Sequence, residues 1–188
     1  MNLKSAGIIV LNLLFFFNTY ALDNNEVENK FKDITKQIAV DFQGELSAAS
    51  APGKEENVVI ETNLVDCRNE LKGLIKTNPE SIWADDAQYI IAILNAANPR
   101  QEALELEYLL KEYPDMHIED WTRETLPILM PNSKIPFEIV VRLQLCLDYK
   151  QSGDTEKLKQ IYYESVKKYP DKAKIFEKFL YKASPILN

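Results

Sequence analysis

The 188-residue chain is poor in the residues that most often carry chemistry: it has one histidine, two cysteines and five glycines. A single histidine, His117, excludes an H-E-x-x-H zinc site and any site built on paired imidazoles. Cys67 and Cys146 are too far apart in sequence for C-x-x-C or C-x-x-C-H. A zinc site would have to gather Cys67, Cys146 and His117 from distant places. A serine triad needs only one histidine, but it also needs a nucleophile in a strained turn, and no G-x-S-x-G occurs. No glycine-rich phosphate loop is present. We therefore expect no metal, no cofactor, no small-molecule substrate and no enzymatic activity.

Positive charge is also in deficit. The formal net charge is −7, which speaks against nucleic acid or an anionic membrane surface as partner. No stretch alternates apolar and polar residues with period two, and few glycines with 27% charged residues suit helices better than turn-rich sheets. The expected fold class is all-α. At 46% hydrophobic, the chain has enough apolar surface for one sizeable core.

What the chain does contain begins with a leader. Lys4 is a short positive region, Ala6 to Phe17 is an apolar run, and Thr19-Tyr20-Ala21 has the small-x-small form of a cleavage site. Residues 1–21 are thus expected to be a signal peptide, making the protein exported, periplasmic or secreted. The rival reading is an uncleaved anchor over Ser5 to Leu22, which is marginal in length and interrupted by Asn12 and Asn18. In that case the protein is a membrane-tethered adaptor, and only then does it contact a membrane. No cysteine lies near the cleavage point, so lipid attachment there is excluded.

Residues 22–43 predict an amphipathic helix, with Val27, Phe31, Ile34 and Ile38 on one stripe. It either docks onto the main domain or pairs with a second copy. Residues 44–57, with Pro52-Gly53, predict a flexible linker, and 58–188 a helical repeat domain. Within it Leu64, Cys67, Leu71, Leu74 and Ile75 form a stripe that ends at Asn78-Pro79. Ser81 is a candidate cap for a helix burying Ala84, Ala87, Ile90, Ile91 and Leu94. Asn98-Pro99 starts a helix that stops at Tyr113-Pro114. Met116 to Leu126 is plausibly helical, with Ile118, Trp121 and Leu126 inward. Ile135 to Gln151 predicts an amphipathic helix closed by Gly153, and Asp154 or Thr155 opens the next, which ends at Tyr169-Pro170. A last helix from Asp171, carrying Ile175, Phe176, Phe179 and Leu180, would cap the stack.

Pro79 and Pro114 are 35 residues apart, close to the period of about 34 of tetratricopeptide repeats. The segment SIWADDAQY…EALELEYLLKEYPD resembles the repeats of envelope tetratricopeptide proteins. Their types include the outer-membrane assembly lipoprotein BamD and the periplasmic coordinator of Tol-Pal and cell division. The resemblance covers Val58 to Tyr181. It implies a right-handed α-α superhelix of helix pairs, a C-terminal capping helix, and a non-catalytic scaffold that binds a protein or peptide in a concave groove. Carried over by position, the groove residues are Asp86, Tyr89 and Ile93 in one repeat and Leu143, Leu147 and Lys150 in another. The aliphatic ones could equally pack neighbouring repeats together. The Lys/Asn cluster that clamps a C-terminal carboxylate in this family is missing. The family's small crossing positions fall on Cys67, Ala92 and Cys146, which reads both cysteines as buried free thiols with no disulfide. They also fall on Glu102 and Leu158. Glu102 is a misfit beside Ala103, and Leu158 is larger than the pattern wants.

Pro114 and Pro170 are 56 residues apart, so Met116 to Pro136 is surplus to the repeat. It is either a partial helix with an extended return or a non-repeating middle. Two carboxylate pairs, Asp85-Asp86 and Glu119-Asp120, leave a hydrolase as a low-ranked alternative. Neighbours on a helix diverge by about 100°, and acids near helix starts already have a purpose at the positive end of the dipole.

Overall fold

The Val27, Phe31, Ile34 and Ile38 stripe lies on helix α1 (Asn24–Ala49), and all four side chains are buried. The computed structural model describes residues 22–49, 57–127 and 135–181, with side chains over 22–44, 64–127 and 135–177. The expected signal peptide at 1–21, residues 50–56 of the expected linker and residues 128–134 of the surplus segment lie outside the described residues.

The α1 stripe packs on Cys67, Leu71, Leu74 and Ile75 of α2 (Asn57–Thr77), and Phe31 stacks on Trp83 with ring centroids 4.9 Å apart. The helix expected over 22–43 therefore shares a core with the α2 stripe and Trp83. It also runs through Gly44 to Ala49, so the break expected at Gly44 falls later. Glu45, Leu46, Ala48 and Ala49 are strong helix formers, and together they outweigh one interior glycine at about 1 kcal/mol.

α2 stops at Thr77, ahead of Asn78-Pro79. The Asn78 N–H and side-chain amide both donate to the Leu74 carbonyl, satisfying an acceptor left open by the helix end. Ser81 is not a helix cap: α3 (Ala84–Ile93) begins after Trp83, and Ser81 Oγ accepts the Trp83 N–H at 3.3 Å in the preceding turn.

α3 is the hub of the molecule. Every residue from Ala84 to Ala92 is buried. Ala87, Ile90 and Ile91 join the α1–α2 cluster, whereas Tyr89 and Ala92 join a second cluster with Leu106 and Leu109 of α4 (Pro99–Glu112). Asn98 caps α4 as its side chain accepts the Gln101 N–H at 3.3 Å, with Pro99 at the first helical position.

Within the surplus segment, Met116 to Glu119 is a non-helical run that leads into the short α5 (Asp120–Thr125). It folds back on α1, where the Trp121 indole N–H donates to Thr35 Oγ1 at 3.3 Å. The chain resumes at α6 (Phe137–Gln151), turns at Gly153 with φ +74°, and continues as α7 (Thr155–Lys168), capped by Asp154 on the Lys157 N–H. A 3-10 turn (Pro170–Lys172) leads into α8 (Ala173–Tyr181), which packs on α6 and α7 and buries Phe176 against Ile139 and Leu143.

Among the described residues the molecule is all-helical. The main contacts run in chain order, α1 on α2, α2 on α3, α3 on α4, α4 on α6 and α6 on α7, while α5 reaches back to α1 and α8 to α6.

Candidate binding surface

The six residues expected to line a groove do not form one surface. Asp86 is 0% exposed, Tyr89 3% and Leu143 6%. Ile93 is half-buried against the α4–α6 cluster. Leu147 and Lys150 are half-buried on α6, and the Lys150 Nζ is enclosed with no hydrogen bond. Three coverings account for this. The 116–122 run lies over Asp86, the Phe137 ring meets Tyr89 edge-on at 4.8 Å, and the Phe176 cap covers Leu143.

The Asp85-Asp86 pair is a staple. Asp85 Oδ2 accepts the His117 N–H at 2.9 Å. Asp86 accepts the Glu119 N–H at 3.2 and 3.3 Å and the Thr122 hydroxyl. Two buried acids at the start of α3 thus supply acceptors to backbone N–H groups of a non-helical segment, which has no helical hydrogen bonds of its own there. Burial pushes the Asp86 carboxyl up to about 8, against the pull of the Thr122 hydroxyl, and burial also raises Asp85. The exposed His117 ring is held above its ordinary value by Glu119, whose Oε1 lies 2.5 Å from Nε2, with Asp85 at 3.6 Å from Nδ1. A hydrolytic pair needs two carboxyls converging on an open cleft. These instead hold their own chain, while Asp120 of the other pair points to solvent. No group of three or more potential metal ligands occurs among the described residues.

Cys67 lies in the α1–α3 cluster and Cys146 in the α3–α7 cluster, each buried as a thiol. Burial raises both, Cys146 to about 12, so neither carries a reactive thiolate near neutral pH.

Sequence reasoning missed the polar pair where α4 crosses α6. Glu102 is 2% exposed and Asp148 is 1% exposed. The signal was present, since Glu102 stood where a small residue was wanted, but nothing in the sequence pointed to Asp148.

One open surface lies along the boundary of α4 and α7, floored by α6. A depression of about 620 Å³ is bounded by Arg100, Leu104, Tyr149, Asp154 and Lys157. A second, of about 220 Å³, continues past Tyr149 and Lys157 toward Lys111, Arg142 and Glu164. The two meet at a bridge: Glu107 accepts the Tyr149 hydroxyl and the Lys157 ammonium, the latter at 3.0 Å. Leu104 stands 55% exposed on the rim. From Arg100 to Lys111 a helix advances about 16 Å, the reach of roughly five extended residues. Compared with protein-family models, with curated proteins and with solved structures, the chain finds no match.

Proposed function

We propose that this chain is a non-catalytic interaction scaffold of a cell envelope, assembled from tetratricopeptide-like helix pairs, that binds a peptide segment or a protein partner. The observation that carries the reading is the open channel between α4 and α7. It is long and shallow, carries both signs of charge, and is rimmed by an exposed leucine, features that suit a polypeptide better than a small molecule. The chain-order packing of the helices and the 35-residue spacing of Pro79 and Pro114 support a right-handed helical array. The enclosure of both buried acid pairs supports a role without catalysis. The binding surface of this proposal is the α4–α7 channel, because Asp86, Tyr89 and Leu143 are covered.

The leader supports export, with Leu22 at the mature N-terminus; among the described residues no helix is long and apolar enough to cross a membrane. The mass of the native protein decides between cleavage and the tethered adaptor. For the channel, a photo-crosslinking residue at position 104 is compared with one at Val40 on α1. A discrete protein adduct at 104 is expected, absent at 40 and lost in a Lys157→Glu background. Equal labelling at both positions, in a correctly folded protein, counts against the channel.

A further inference from the structure

The α4–α6 crossing holds two carboxyl groups and no counter-ion. Glu102 and Asp148 are both buried where α4 packs on α6, each acting on the other's carboxyl, and the Gln144 amide donates to Asp148 Oδ1 at 3.1 Å. Glu102 Oε1 and Asp148 Oδ2 are enclosed and accept no hydrogen bond from any donor. Two carboxylates are acceptors only, so they cannot bond to each other unless one carries a proton. We propose that Glu102 and Asp148 share a single proton and form a pH-sensitive latch joining the α3–α4 hairpin to the α6–α7 hairpin.

Among the described residues no lysine or arginine is paired with either carboxyl, and the enclosed Arg142 Nη1 and Lys150 Nζ make no hydrogen bond to them. From α3 the titratable group facing Glu102 is the buried Tyr89 phenol, raised by burial and by Glu102 itself. On α6 the neighbours of Asp148 are Cys146 and Tyr149, both raised by burial. The Arg142 Nε bonds to Glu138 at 2.7 Å. From α7, Lys157 bonds to Glu107 over the Tyr149 ring. Lys150 lies two residues beyond Asp148, a spacing that points side chains apart on a helix, and its enclosed Nζ makes no hydrogen bond.

With its proton, the pair is an acid donating to a carboxylate and carries one negative charge. When the proton leaves for solvent base, two adjacent anions face each other in a poorly solvated crossing, and the contact must hydrate or open. Burial, and then the Asp148 charge, raise Glu102 to about 8; burial also raises Asp148, against the pull of the Gln144 amide and of Glu102. The native state thus holds a proton that the unfolded state has released, so this contribution is complete below the ordinary carboxyl range and is lost as pH rises through the pair's upper step.

Carboxyl ¹³C NMR of the full chain, titrated from about pH 4 to pH 9, reads the pair directly. The expected result is one coupled two-step titration at Glu102 and Asp148, its upper step well above the ordinary range. Urea unfolding of wild type, Glu102→Gln and Asp148→Asn over the same interval gives the energetic counterpart. Either amide supplies the shared hydrogen permanently, so each variant should lose part of the alkaline decline in midpoint. Two independent titrations near ordinary glutamate and aspartate values overturn the latch. So does an unchanged alkaline decline in both folded variants. If the variants fail to fold, the wild-type titration decides alone.

Discussion

Asp86, enclosed in the first turn of α3, accepts the hydroxyl hydrogen of Thr122, which lies 36 residues further along on α5. That bond, with the Glu119 N–H on the same carboxyl, fastens the surplus segment across α3, while Trp121 ties it to α1. Thr122→Val removes the donor and leaves a buried acceptor short of a partner, at about 1–3 kcal/mol. The expected outcome is a urea midpoint lowered by that amount and faster amide exchange over residues 117–126, with α3 still protected. Unchanged exchange in that stretch would show that its remaining ties, the His117 and Glu119 N–H bonds and the Trp121 contact among them, hold it without the Thr122 bond.

Asp86→Asn tests the charge at the same place. Burial raises the Asp86 carboxyl to about 8, so its native form near neutrality is largely protonated and the unfolded form is not. A raised native value means stability that is whole below about pH 4 and declines as pH climbs toward 8. The asparagine should therefore be close to neutral in effect at pH 6, and the variant should resist alkaline unfolding better than wild type. Midpoints measured at pH 6 and pH 9 check this; a greater alkaline loss in the variant would contradict it.

The segments that sequence patterning located are those whose reasons are local. The α1 stripe, the Asn98-Pro99 start, the Gly153 stop and the Asp154 cap each depend on residues within about four positions, and each stands where the spacing put it. Ser81 failed as a cap because its hydroxyl is taken by the Trp83 N–H one turn early. The groove residues were misplaced for a longer-range reason. Asp86 and Tyr89 sit on the expected helix, but their coverings come from residues 117–137, which no period announces. The run from Gly44 to Ala49 shows the opposite error, in which one glycine and small residues read as a linker while their neighbours kept the helix going.

Glu138 is a second tie between elements, and its pH dependence has the other sign. It accepts Arg142 Nε, Lys168 Nζ at 2.7 Å, and the Tyr169 hydroxyl, joining the start of α6 to the end of α7. Burial works to raise it, but the Lys168, Tyr169 and Arg142 bonds together hold it below the ordinary glutamate value. A lowered native value gives stability present above the unfolded value and lost as pH falls through the native one. Glu138→Gln keeps the shape and removes the charge, so a loss of about 1–3 kcal/mol is expected at pH 7, shrinking toward zero near pH 3. A loss of constant size across that range would mean that packing, not charge, is what Glu138 contributes.

Two glycines should respond to the same substitution with opposite signs. A Cβ added at Gly73, within α2, or at Gly153 meets nothing within 4 Å, so neither change is opposed by crowding. Gly73 lies inside a helix, where alanine restricts the unfolded chain and suits the native backbone; Gly73→Ala should add about 0.5–1 kcal/mol. Gly153 holds φ at +74°, where an L side chain strains against its own backbone, so Gly153→Ala should subtract about 1–2 kcal/mol. Thermal unfolding of both variants at one pH reads the pair together. A stabilised Gly153→Ala would mean that the α6–α7 turn relaxes to negative φ at no expense.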